Sequence, residues 1–133
     1  MTARGVRSYR LPVKSQPIWR RPLPYYEGNI TFVLIGINLA VFFLTSMGGQ
    51  VINYLAMNPV LTVQRGFWWQ PVTYMFVHSG ISHLLFNMLG LFFFGTQVER
   101  ELGSWEFLMY YLLTGALAGF FSLAVYWFTG SYY

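Results

Sequence analysis

The stretch that decides the fold is FWWQPVTYMFVHSGISHLLFNMLGLFFFGTQVERELG, which runs from Phe67 to Gly103. It opens with aromatic residues and continues into an apolar run without a formal charge, residues 81–98. Two polar side chains, His83 and Asn87, interrupt this run. At 100° per residue they lie about 40° apart on one helix face, so both can address the same object.

The composition around this stretch is that of a membrane protein. Of the 133 residues 56% are hydrophobic and 9% are charged, against roughly 25% charged residues in soluble domains. The chain has no cysteine, which excludes disulfides and thiolate metal sites. It also has no aspartate, so four glutamates and two histidines are its main titratable groups. Most acid–base schemes of soluble enzymes are thereby removed, and no cofactor is predicted.

The N-terminal residues 1–28 are predicted to form a basic cytoplasmic tail. Four prolines interrupt them, and their basic side chains suit anionic lipid headgroups better than nucleic acid, so no nucleic-acid partner is expected. An arginine-rich, acid-poor start is also typical of a mitochondrial transit peptide, although the prolines interrupt the amphipathic helix that such a peptide needs. The basic residues are Arg4, Arg7, Arg10, Lys14, Arg20 and Arg21.

Residues 29–133 are predicted to form an all-α membrane domain with three transmembrane helices. The spans are residues 29–47, 81–98 and 105–128, each near the roughly 20 residues needed to cross a bilayer. The long connection after the first span mixes apolar and polar residues, which favours short amphipathic helices in the headgroup region. A polar turn, residues 99–104, is expected between the second and third spans.

The positions of Lys and Arg predict the orientation of these spans. Six of the eight precede the first span, Arg65 lies in the long loop, and Arg100 lies in the turn between the second and third spans. The positive-inside rule therefore places the N-terminus in the cytoplasm and the long loop outside. We expect a multi-pass protein of a bacterial inner membrane or a plasma membrane, with the lipid bilayer as its first partner.

The third span carries a face of small residues. Gly115, Gly119 and Ser122 fall at i, i+4 and i+7, the spacing that lets transmembrane helices approach closely. We interpret them as packing residues, because Ser122 has no base within helical reach. Ser82 directly precedes His83, but adjacent helical residues point about 100° apart, so we expect Ser82 at the start or cap of the helix.

A metal site built from His78, His83 and Asn87 is disfavoured. On one helix the two histidines would lie about 140° apart, and asparagine is a poor ligand for zinc. For His83 and Asn87 two interpretations stay open on the residues alone. They join helices as buried polar groups, or they mark a functional site at membrane depth.

The spacing of five residues resembles the second transmembrane helix of the rhomboid family of intramembrane serine proteases. His78, His83, Asn87, Glu99 and Gly103 follow one another after five, four, twelve and four positions, as in that family's pattern. The resemblance extends over about residues 29–133. It implies that the chain is part of a six-helix rhomboid bundle.

The resemblance also implies roles for the matching residues. His83 and Asn87 would donate hydrogen bonds to the oxyanion of a tetrahedral intermediate. His78 would anchor the first loop, and Glu99 and Gly103 would secure the cytoplasmic turn.

The first long loop of the family is matched by the aromatic segment around Trp69. The family often has Trp-Arg where this chain has Trp69-Gln70. This departure bears on any charge-based contact in the loop and not on the fold.

The family's catalytic dyad has no counterpart in this sequence. Rhomboids carry a serine in a Gly-x-Ser motif at the start of the fourth span and a histidine on the sixth. We therefore expect the N-terminal half of a rhomboid protease, cut short by a gene-model break, a frameshift or an artificial boundary, and inactive alone. Its partners would be the missing C-terminal half and a single-span membrane protein substrate.

Two other hypotheses compete with this one. In one, the chain is a short rhomboid-like pseudoprotease that binds transmembrane clients without cleaving them. In the other, it is a small structural or transport subunit that shares the spacing by chance.

Overall fold

A computed structural model describes residues 29–130, and every regular element in that range is helical. The predicted tail, residues 1–28, lies outside the described residues. The elements are α1 (Ile30–Ser46), α2 (Val51–Leu55), α3 (Pro59–Gln64), α4 (Gln70–Thr73), a 3₁₀ turn (Tyr74–Phe76), α5 (Ile81–Gly90), a π-helical segment (Leu91–Gly95), α6 (Thr96–Leu102) and α7 (Ser104–Thr129).

Two of the described helices are long and apolar enough to cross a membrane. One is the continuous helix Ile81–Leu102, formed by α5, the π segment and α6, and the other is α7. Helix α1 is apolar but has 17 residues. At 1.5 Å per residue it is about 26 Å long, a little shorter than a hydrocarbon core of roughly 30 Å. The third transmembrane helix therefore stays a prediction.

Helix α1 contacts α5, the π segment, α6 and α7 through one narrow face. Its buried residues are Thr31, Leu34 and Asn38, at i, i+3 and i+7, which is the spacing of one helical stripe. Outside this contact the long helices expose large apolar side chains, for example Phe94 and Phe121, which are 71% and 72% exposed. Apolar residues on the outer faces are what lipid tails solvate well.

The turn predicted at residues 99–104 is wrong in extent. Helix α6 continues to Leu102 and the chain turns at Gly103, whose φ is 97°. Glutamate, arginine and leucine favour a helix, whereas a positive φ favours glycine. The Gly103 N–H donates to the Glu99 carbonyl oxygen at 2.7 Å, so the helix ends by a bond to its own last turn.

Gln70 joins three short helices of the long loop. Its side chain is fully buried. Its Nε2 donates to the Asn53 carbonyl oxygen at 2.8 Å, and its Oε1 accepts from the Asn58 N–H at 3.1 Å and the Thr62 hydroxyl at 2.8 Å. The neutral amide of Gln70 therefore makes all three of these hydrogen bonds, and none of them involves a charged group.

The small-residue face of α7 meets the loop and not another long helix. A Cβ added to Gly119 would overlap the Pro71 carbonyl oxygen, and one added to Gly115 would overlap the end of the Met75 side chain. The Tyr74 hydroxyl donates to the Gly115 carbonyl oxygen at 3.1 Å. The predicted close approach is present, but its partners are α4 and the 3₁₀ turn.

Candidate active site

A cavity of about 410 Å³ lies where α5 and the segment before it face α1 and α7. His83 and Asn87 both line it and both are exposed. Two polar side chains that the sequence placed on one helix face therefore share one space. The lining residues are Asn38, Tyr74, Met75, Val77, His78, His83, Phe86, Asn87, Met88, Gly90, Leu91 and Tyr111.

Asn87 and His83 are coupled along α5. The Asn87 Nδ2 donates to the His83 carbonyl oxygen at 3.0 Å. Because an amide group has two N–H bonds, this contact orients the Asn87 side chain and leaves its second N–H for a ligand. The His83 Nδ1 lies 3.3 Å from the Ser79 hydroxyl. Helix α5 thus presents an imidazole and an amide, one turn apart, to the same cavity.

His78 lies closer to His83 than the sequence suggested. The two ring centroids are 5.1 Å apart. The projection that separated them by about 140° was wrong, because α5 begins at Ile81 and His78 belongs to the preceding loop. Within residues 29–130 no third His, Cys, Asp or Glu joins them in a group that could hold a metal ion.

His78 is buried, and its surroundings shift its pKa and fix which ring nitrogen carries the proton. Burial lowers the pKa of His78 below its usual value, a charge on His83 would lower it further, and the contact with the Phe76 carbonyl acts in the opposite direction. The Nδ1 lies 3.2 Å from that carbonyl oxygen. Since a carbonyl only accepts, Nδ1 carries the proton, and in neutral His78 the Nε2 carries a lone pair.

Asn38 is a cavity residue that the sequence analysis missed. It is 1% exposed, and its Nδ2 donates to the Leu34 carbonyl oxygen at 2.7 Å. Its Oδ1 is buried without a donor in hydrogen-bond geometry among the described residues, although Tyr111 lies beside it. An unpaired buried acceptor costs roughly 1–3 kcal/mol. A polar residue inside an apolar span, the signal used for His83 and Asn87, would have found it.

Glu99 lies outside the cavity lining, at the N-terminus of α1. Its carboxylate accepts from the N–H groups of Ile30 and Thr31 at 2.8 and 2.9 Å. It also accepts from the hydroxyls of Thr31 and Ser104, both at 2.6 Å. Asn29 makes no side-chain cap bond there, so the Glu99 carboxylate supplies the cap and connects α1 to the start of α7.

Trp69 also lies outside the cavity lining, in the aromatic part of the loop. Its ring stacks on Phe67 at 4.7 Å between centroids, and Phe67 stacks on Tyr54 at 5.4 Å. The Trp69 indole N–H donates to the Tyr54 carbonyl oxygen at 2.8 Å. This stack joins the segment before α4 to α2.

The regular elements of residues 29–130 are all helical, two of these helices have membrane length, and an imidazole and an amide line one cavity, which together are typical of a helical membrane protein with a polar site. The chain belongs to the rhomboid family. A family model, the Rhomboid domain, matches residues 65–131. Membership of this family and the two long apolar helices make it an integral membrane protein.

Three relatives illustrate the similarity. Rhomboid protease GluP of Bacillus subtilis is 38% identical over 100 residues, which cover 69% of this chain and 20% of the relative. Rhomboid protease GlpG of Haemophilus influenzae is 30% identical over 95 residues, 71% of this chain and 50% of the relative. Rhomboid protease AarA of Providencia stuartii is 31% identical over 105 residues, 74% of this chain and 37% of the relative.

In each of these three cases the matched part of the chain spans half or less of the relative's length. No solved structure gives a significant match.

Proposed function

We propose that this chain supplies the oxyanion-stabilising part of a rhomboid-type intramembrane serine protease. One observation carries the proposal. In a chain of this family, His83 and Asn87 are exposed to one cavity, a single helical turn apart. The substrate would be a single-span membrane protein, and the reaction would be hydrolysis of a peptide bond within it.

The two side chains suit charge stabilisation because both are donors. Attack on a peptide carbonyl places a negative charge on its oxygen, and N–H groups already aimed at that position stabilise the charge without reorganising. Asn87 is oriented by its bond to the His83 carbonyl oxygen and retains a second N–H. Removal of one such donor typically costs about 3–4 kcal/mol of transition-state stabilisation.

The nucleophile and the general base would come from rhomboid helices that are not among these 133 residues. The resemblance places a Gly-x-Ser serine and a histidine on later spans, and this sequence matches neither. We propose that the chain is inactive until those helices complete the cavity. We also propose α1 as a third transmembrane helix, with the N-terminus in the cytoplasm and the loop of α2 to α4 outside.

The remaining family residues would hold the scaffold of the site. Glu99 and Gly103 would secure the cytoplasmic turn through the cap on α1. His78 would anchor the segment that leads into α5, and Trp69 would fix the first loop through its stack.

Complementation tests the proposal. The chain is co-expressed with a C-terminal rhomboid half that carries the serine and histidine, and cleavage of a single-span reporter is measured in membranes. We expect His83→Ala and Asn87→Ala each to lower kcat about 10²- to 10³-fold. Ser82→Ala is the matched control, because Ser82 lies on the same helix but does not line the cavity. Unchanged cleavage in His83→Ala and Asn87→Ala would reject the oxyanion assignment.

A second candidate function is binding of transmembrane clients without cleavage. It rests on the same cavity, whose wall holds both His78 and His83 together with Asn87. Crosslinking in cells that make only this chain distinguishes the two functions. Recovery of intact single-span proteins supports client binding, whereas degradation of the chain unless a C-terminal half is present counts against it.

A further inference from the structure

We propose that Ser79 is a positioning residue for His83. Its hydroxyl donates to His83 Nδ1 and thereby holds the neutral imidazole as the Nε2–H tautomer. The consequence for catalysis rests on the function proposed above, whereas the tautomer itself can be measured without any substrate.

The contact that carries the proposal joins a loop to the helix. Ser79 lies just before α5, and its hydroxyl oxygen is 3.3 Å from His83 Nδ1. In a neutral imidazole one nitrogen donates and the other accepts, and the bond made by one nitrogen decides where the proton of the other lies. A hydroxyl can serve either tautomer, so the surroundings must decide the direction of this bond.

The cavity wall carries two acceptors in addition to the second N–H of Asn87. His78 directs its N–H to the Phe76 carbonyl, so its other nitrogen is an acceptor, and its ring lies 5.1 Å from that of His83. Asn38 adds a carbonyl oxygen, which lies beside Tyr111 but has no donor in hydrogen-bond geometry among the described residues. An Nδ1–H tautomer of His83 would add a further acceptor to the same cavity wall. The Nε2–H tautomer instead supplies a donor, and this requires Ser79 to donate.

The tautomer decides whether His83 can stabilise an anion. With the proton on Nε2, the ring has one N–H that the Ser79 contact does not use. With the proton on Nδ1, the Nε2 atom carries a lone pair, which repels an oxyanion. The fraction of chains in which His83 can stabilise an oxyanion is therefore the fraction in the Nε2–H form.

Nitrogen NMR of the full ¹⁵N-labelled chain in lipid nanodiscs tests the proposal directly. The spectra are recorded at about pH 8, and the tautomer is read from the signals of the neutral imidazole form. The sequence has two histidines, and we expect them to show opposite tautomers, Nδ1–H at His78 and Nε2–H at His83. Ser79→Ala should lower the ratio of Nε2–H to Nδ1–H at His83 about fivefold, as expected for loss of one ordinary hydrogen bond.

Two variants serve as controls. Ser79→Thr keeps the hydroxyl and should keep the wild-type ratio. Ser82→Ala removes a hydroxyl from the first turn of α5 and should leave the ratio unchanged. A mainly Nδ1–H His83 in the wild-type chain, or an unchanged ratio in Ser79→Ala, overturns the proposal. The wild-type measurement decides the direction of the bond even where Ser79→Ala does not fold.

The complemented protease separates this proposal from the proposed function. If both hold, Ser79→Ala lowers kcat by up to about fivefold with little change in KM, and Ser79→Thr restores it. If His83→Ala cleaves normally while the tautomer still follows Ser79, the oxyanion role is wrong and the tautomer control stands. If His83→Ala is inactive but the tautomer ignores Ser79, only the present inference fails.

Discussion

Replacing Glu99 with glutamine should destabilise the chain, because this carboxylate caps α1 and joins it to α7. The Glu99 carboxylate accepts four hydrogen bonds, two from the first N–H groups of α1 and two from the hydroxyls of Thr31 and Ser104. Each oxygen takes two of these bonds. Glutamine keeps one accepting oxygen and places an NH₂ group where the other stood, so one backbone N–H of α1 loses its acceptor and faces another donor, and the hydroxyl beside it stays bonded only by turning to accept.

The magnitude follows from the change in those four bonds. A hydrogen bond to a charged group contributes roughly 1.5–3 kcal/mol, against roughly 0.5–1.5 kcal/mol for a neutral one. The negative charge at the N-terminus of α1 adds roughly 0.3–1 kcal/mol through the helix dipole. Because Glu99 is partly exposed, solvent screening reduces the electrostatic part. We expect Glu99→Gln to lower the free energy of unfolding by about 2–4 kcal/mol.

Reversible unfolding in mixed detergent micelles measures this difference. Glu101→Gln is the matched control, because Glu101 is an exposed glutamate two positions further along α6, and its loss should change the free energy by less than about 0.5 kcal/mol. A Glu99→Gln variant as stable as Glu101→Gln would show that the cap on α1 does not contribute to stability, and the reasoning from these four bonds would be wrong.

Two further predictions concern α7 and the loop. Gly119→Ala should lower the free energy of unfolding by about 2 kcal/mol or more, because the added Cβ meets the Pro71 backbone carbonyl. Gly115→Ala should lower it by less, because the added Cβ meets the flexible end of the Met75 side chain. Equal losses of unfolding free energy would contradict this prediction. Burial lowers the pKa of His78, so the stability it contributes is full above the ordinary histidine pKa of about 6.5 and falls as pH drops through that value towards the folded-state pKa. The unfolding midpoint should depend less on pH between about 8 and 5 in His78→Gln than in the wild type. An equally steep dependence in the variant would refute this prediction.

The long helices were predictable because they depend on one strong signal. Apolar sequence of membrane length without a formal charge predicted the helix from Ile81 and the helix α7, and the polar residues between them predicted the turn. The cavity pair was predictable for the same reason, since a polar residue in an apolar run stands out. The extent of the turn was not, because Glu99 to Leu102 are polar enough for a loop and equally good helix formers.

Contacts between distant segments were beyond the sequence. Gln70 was noted only as a departure from a family pattern, yet its side chain joins α2, α3 and α4 through three hydrogen bonds. The small face of α7 was interpreted as a place where transmembrane helices approach closely, and nothing in the spacing shows that α4 of the loop packs against it. Asn38 was missed because a single asparagine was not weighed as His83 and Asn87 were.

The π segment Leu91–Gly95 explains why one helix serves both the cavity and the cap. Glu99 follows Asn87 by twelve positions, which in a regular α-helix turns it about 120° away. A π turn takes in one extra residue and rotates all later side chains back by about 100°, so the two residues come to lie about 20° apart. Asn87 lines the cavity together with Asn38 of α1, and Glu99 caps the N-terminus of α1, which contacts α5, the π segment and α6. A helical projection at 3.6 residues per turn places Asn87 and Glu99 on different faces of the helix. It therefore cannot show that one helix, α1, lines the cavity with Asn38 and binds the Glu99 carboxylate with Thr31.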